Sequence, residues 1–149
     1  MNDDYARRFQ ANNPFHALIG VELVERGEGR ARCRLPMSEK VRGGVAGSVH
    51  GGVLSALIDI ATLAAISSVV DHAREQMAGT AELNVSFLRP ALGAAVYAEA
   101  RVLKKGRQLV VVDIDLTDPD GRLVAKGRVN YALRPGGARQ AAGQARDSR

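Results

Sequence analysis

Ser48-Val49-His50-Gly51-Gly52-Val53-Leu54-Ser55-Ala56-Leu57-Ile58-Asp59-Ile60-Ala61-Thr62-Leu63-Ala64-Ala65-Ile66 opens an apolar run that continues to Val70 and holds one charged residue, Asp59. Apolar residues fall on almost every face of such a helix, so it must be enclosed rather than laid on a surface. The pattern predicts a helix from near Gly51 to about Val70. Ser55, Asp59 and Thr62, spaced i, i+4 and i+7, share one stripe that should face a cleft, a subunit interface or water. A carboxylate in so apolar a segment is costly to bury. Asp59 is therefore either a chemically active group or a structural carboxylate paired with a strand arginine.

The rest of the chain supplies the enclosure. Strand-like alternation runs through 80–89, 95–103, 108–117 and 122–133, and residues 20–35 read as a hairpin ended by Pro36. The connections at 90–93, 104–107 and 118–121 are short, which predicts antiparallel neighbours. Residues 3–11 read as a short helix with Tyr5 and Phe9 on one side, closed by Asn12, Asn13 and Pro14. The glycine-rich stretch 41–48 reads as a loop. The expectation is an α+β fold in which a curved antiparallel sheet of about six strands wraps one long helix. It divides into a lead-in over 1–19, a folded domain over 20–133 and a disordered tail over 134–149.

Composition narrows the function. The 149 residues carry a formal charge of +5, but +3 of it lies from Arg134 onward, leaving +2 for the folded part. No basic patch of the kind a nucleic-acid binder needs is evident. Asp59 and the interspersed serines and threonines argue against a membrane span. The acidic start at Asp3 and Asp4 does not resemble a secretory signal, so a cytoplasmic protein is expected. The single Cys33 allows no intramolecular disulfide and offers no metal cluster, and its place in the first hairpin suggests packing.

The start of the helix carries its own chemistry. Gly51 and Gly52 lack side chains, so a ligand can approach free N–H groups that favour developing negative charge. Asp59 lies eight residues further on, about 12 Å along the axis at 1.5 Å per residue. If both groups serve one reaction, they should come from different subunits of a symmetric dimer.

His50-Gly51-Gly52 with Asp59 at the H-G-G-x6-D spacing, the stretch Asn84-Val85-Ser86-Phe87-Leu88-Arg89-Pro90, the stretch Val102-Leu103-Lys104-Lys105-Gly106-Arg107 and the closing Val124–Tyr131 segment together resemble a known family. It is that of the hotdog-fold acyl-CoA thioesterases, specifically the phenylacetate-pathway-type branch of the 4-hydroxybenzoyl-CoA thioesterase superfamily. The resemblance covers about residues 14–133. It implies edge-to-edge homodimers, often paired into homotetramers, acting on an acyl-CoA substrate. The Gly51 N–H would bind the thioester carbonyl, and Asp59 of the other subunit would be nucleophile or general base. Thr80 matches a hydroxyl that orients water, and His50 lies near the thioester or holds the loop before the helix. Lys104, Lys105, Arg107 and Phe87 match positions that contact CoA, although exposed hairpin cations are also commonly just solvated. Many members carry an asparagine six residues before the histidine, where this chain has Gly44.

No cofactor or metal is expected, since an oxyanion donor and one carboxylate suffice for a thioester, and CoA enters only as part of the substrate. A hydratase of similar fold would resemble an Asp-x4-His pair, but five residues after Asp59 stands Ala64. A non-catalytic acyl-CoA-binding module is the alternative. A sensor of that kind with its own DNA-binding unit is not expected, because the residues before Gly20 are too few for a helix-turn-helix.

Overall fold

A computed structural model describes residues 3–136; of the tail expected over 134–149, Arg134 and Pro135 instead complete the last strand, and residues from 137 on lie outside the described residues. Helix α1 (Asp3–Ala11) and helix α2 (Pro14–Ile19) lead into strands β1 (Glu22–Gly27) and β2 (Arg30–Pro36). Helix α3 (Gly51–Ile66) follows, then β3 (Glu75–Phe87), β4 (Ala95–Lys105), β5 (Leu109–Thr117) and β6 (Leu123–Pro135). The strands form one antiparallel sheet in the order β1-β2-β4-β5-β6-β3. The sheet wraps α3, as the hotdog architecture requires, and Leu57, Ile58, Ala61, Ala64, Ala65 and Ile66 are fully buried against it. Among the described residues no helix is long and apolar enough to cross a membrane.

Four local expectations need correction. First, α3 ends at Ile66, not Val70. The Ser67 and Ser68 hydroxyls turn back onto the Ala64 and Ala65 carbonyls, and Arg26 Nε donates to Ala64, so the last carbonyls are satisfied without further helix. Second, Asn13 begins α2 as well as ending α1: its side chain accepts from the Phe15 and His16 N–H groups, with Pro14 in the first turn.

Third, β3 and β4 are not neighbours despite the short connection. That segment instead crosses under the start of α3, where the Val49 N–H donates to the Ala91 carbonyl at 3.1 Å and Ala91 is buried. Curvature brings the ends of non-adjacent strands within reach of a short chain. Fourth, Thr62 does not share the stripe of Asp59 in any exposed sense. It is fully buried and its hydroxyl bonds the Ile58 carbonyl, 2.9 Å away. The partly open line of α3 instead runs through Gly52, Ala56, Asp59 and Leu63.

Close approach of helix to sheet depends on Gly127. A Cβ there would stand 2.7 Å from Ile58 Cγ2, inside any normal contact distance. The missing side chain lets α3 settle onto β6 and sets the depth at which Asp59 sits.

Candidate active site

Asp59 finds its partner on β3. The Thr80 hydroxyl donates to Asp59 Oδ1 at 2.5 Å, and no ion pair engages Asp59 among the described residues. The reading of Asp59 as half of an arginine pair is not what the geometry gives. Thr80 reaches it because β3 is irregular. Phe87, Val85 and Leu83, on the helix side of the strand, lie opposite Ala125, Gly127 and Val129, after which the register slips between Thr80 and Glu82 and again between Met77 and Gly79. The first bulge turns Thr80 inward, opposite Tyr131, where strict alternation would put it on the outer face; the second restores Met77 to the core side, opposite Leu133.

At the start of α3 the two glycines have different roles. His50 is the N-cap, and its Nδ1 accepts the Gly52 N–H at 2.9 Å. A Cβ on Gly52 would press on that ring at 3.0 Å, so glycine is what permits the cap. The expectation that both N–H groups are available is corrected: Gly52 is occupied. The Gly51 N–H has no acceptor among the described residues. The exposed Phe87 ring lies beside Gly51, 3.5 Å from where a Cβ would be. With exposed Leu88 it forms an apolar wall at the helix start.

The preceding loop is held by backbone. The Gly43 and Gly44 N–H groups both donate to the Ser48 carbonyl, and a Cβ on Gly44 would overlap Ser48 Oγ and come within 2.7 Å of the Val49 carbonyl. A side chain at position 44, where the resemblance implies asparagine, would crowd Ser48 and the Val49 carbonyl. Ala46 adopts a left-handed conformation with φ 56°, leaving Val45 exposed at the tip.

The basic hairpin stands at the other end of α3. Lys105 pairs with Glu75 at 2.6 Å, while Lys104 and Arg107 are exposed. Close by, the Val102 N–H donates to the Gly29 carbonyl, and a Cβ on Gly29 would touch both Val102 and Val69, just past the end of α3. Sixteen helical residues, about 24 Å, therefore separate this hairpin from Gly51. One copy brings together Asp59 with Thr80, and Gly51 with His50 and Phe87, but not the two groups with each other.

Cys33 is fully buried and its thiol is pushed up to about 12 by desolvation, so it holds no thiolate near neutrality. Sequence reasoning missed Tyr131, a buried residue opposite Thr80 whose phenol is held above its ordinary value by burial and by the Asp59 charge. The signal was present in the alternation of β6, which puts Val129, Tyr131 and Leu133 on the inner face.

Comparison with known proteins gives the family and supports the fold. The thioesterase superfamily matches residues 46–125. The chain is similar to human acyl-coenzyme A thioesterase 13, 30% identical over 76% of this chain and 81% of that protein. It is also similar to a medium/long-chain acyl-CoA thioesterase of Salmonella typhimurium, 27% identical over 84% of this chain and 88% of the relative. Among solved structures, a conserved protein of Pseudomonas aeruginosa superposes with a TM-score of 0.75 at 33% identity, covering 87% of this chain and 99% of that one.

Proposed function

The chain belongs to the thioesterase superfamily and is a thioester hydrolase, and on that premise we propose that it hydrolyses acyl-CoA at sites shared between two copies of itself. The observation that supports this reading is the separation, along a single helix, of two groups suited to the reaction. A free N–H at Gly51 and a hydroxyl-bonded carboxylate at Asp59 lie about 12 Å apart, too far to act on one carbonyl. A two-fold axis beside α3 solves the problem, because each Gly51 then meets the other copy's Asp59. The partly open line through Gly52, Ala56, Asp59 and Leu63 and the outer edge of the thirteen-residue strand β3 supply a surface for that pairing. The same arrangement carries the hairpin of Lys104, Lys105 and Arg107 towards the opposite copy's Gly51, where cations would meet the CoA phosphates. Phe87 would flank the pantetheine or acyl chain beside the thioester. Pairing of dimers into a tetramer and the phenylacetate-pathway subtype belong to the same proposal.

In the reaction, a water oxygen attacks the thioester carbonyl carbon while its proton passes to Asp59. The carbonyl oxygen gains charge against the Gly51 N–H and the positive end of α3. The carbon–sulfur bond then breaks, and the departing CoA thiolate takes the proton from Asp59. The Thr80 hydroxyl, already donating to Oδ1, tempers that oxygen as a nucleophile and leaves the other to accept from the water. Asp59 Oδ2, not engaged by Thr80, then takes the water proton as general base. His50 supports the site by capping α3.

The test is thiol release from short, medium, long and aryl acyl-CoAs, with Asp59→Asn run in parallel. The expected outcome is turnover by the parent protein and a loss of about a hundredfold or more in a folded Asp59→Asn protein. Binding of acyl-CoA without turnover would instead establish a binding module.

A further inference from the structure

The chemistry above leaves a buried phenol beside the carboxylate without a role. Tyr131 stands on β6 directly opposite Thr80. Opposed residues on antiparallel strands point to the same face, so Tyr131 is aimed into the space from which the Thr80 hydroxyl reaches Asp59. On its other side it pairs with fully buried Val110, and only 5% of Tyr131 is exposed. The ring is therefore fixed by packing.

A buried tyrosine ordinarily gives its hydroxyl a partner. Here the hydroxyl has no hydrogen-bond partner among the described residues, yet it is not one of the fully enclosed polar atoms left without a hydrogen bond. Volume alone would be served by phenylalanine, without the cost of an unpaired hydroxyl. Burial and the nearby Asp59 charge hold the phenol protonated at neutral pH, so it is a donor wherever it acts. Asp59 is the charged group whose field it feels.

We infer that Tyr131 is a positioning residue for hydrolysis, its phenol O–H donating through one water to the Asp59 carboxylate and fixing its orientation against the Thr80 bond. Two donors then hold the carboxylate, one on each neighbouring strand. This rests on the assignment of Asp59 as the catalytic carboxylate.

Tyr131→Phe keeps the packing and removes only the donor. Its kcat should fall about 5- to 50-fold with KM within about twofold. Because a donor to the charged carboxylate favours ionisation, its loss should also move the acid limb of the kcat/KM profile upward. A tyrosinate absorbance titration needs no turnover: in Asp59→Asn one of the three tyrosines should ionise at lower pH than in the parent. Unchanged kcat and acid limb in Tyr131→Phe, with Asp59→Asn inactive, would overturn the role of Tyr131 alone. A superimposable tyrosinate titration would overturn the coupling itself. Full turnover by Asp59→Asn would overturn the Asp59 assignment and this inference together.

Discussion

Gly127→Ala adds one methyl group at the point where helix and sheet meet most closely, and it tests how the fold places the carboxylate. The new Cβ would stand 2.7 Å from Ile58 Cγ2 and 2.9 Å from its Cδ1. Ile58 is fully buried, and a β-branched side chain in a helix has essentially one χ1 rotamer, so it cannot swing clear. The helix must shift, and Asp59 moves with it. Overpacking of this kind costs about 1–3 kcal/mol. With a urea m-value of about 2 kcal/mol per molar, a loss of about 2 kcal/mol lowers the unfolding midpoint by about 1 M. Ile58→Ala removes the clashing atoms and alone should cost about 2–5 kcal/mol. In the double variant the methyl at 127 occupies space that Ile58 vacates, so the combined loss should fall short of the sum by about 1 kcal/mol or more. Urea unfolding of the four proteins decides it. An unchanged midpoint in Gly127→Ala, or strict additivity in the double variant, would refute the contact.

Other outcomes follow from single sites. Cys33 should resist a thiol reagent in the folded protein at mildly alkaline pH and react fully in guanidinium, because burial pushes its thiol up to about 12; rapid native labelling would contradict the packing. Grafting the asparagine common in the family, Gly44→Asn, should destabilise by about 1–3 kcal/mol in urea unfolding, since Ser48 and the Val49 carbonyl already fill that space. Arg128 holds Asp113 below the usual carboxylate range through hydrogen bonds at 2.6 and 3.0 Å. The depressed folded value means this stabilisation is present above the ordinary aspartate pKa of about 3.9 and lost as pH falls through the folded one. Asp113→Asn should therefore flatten the acid side of the stability–pH curve, and an unchanged slope there would exclude the pair as a contributor.

The long helix and the six strands were legible because they rest on an unbroken apolar run, on alternation and on short connections. An apolar run with one carboxylate, too long for a strand and apolar on nearly every face, identifies α3, and period-two alternation identifies β2, β5 and β6. Strand order was not legible: the link from β3 to β4 looks like a hairpin, and only sheet curvature sends it under the helix. Nor was the geometry of Thr80, since two bulges set which face it takes and alternation alone assigns it to the wrong one. Tyr131 escaped notice for a related reason, because its significance depends on its partner across the ladder rather than on its neighbours in sequence. The contact by which the His50 ring accepts the Gly52 N–H was likewise not legible in the sequence.

The central claim, that each site draws Gly51 from one copy and Asp59 from the other, is tested most directly by mixing two inactive proteins. Proline is tolerated in the first turn of a helix, and His50 already has the extended backbone that precedes proline, so Gly51→Pro removes the N–H without breaking α3. Gly51→Pro and Asp59→Asn are co-refolded and assayed for thiol release. Random pairing makes about half the dimers hybrid, each with one intact and one doubly defective site, so activity should recover to about a quarter of the parent value. No recovery in demonstrated hybrid dimers would contradict the shared site and place the whole reaction within a single copy.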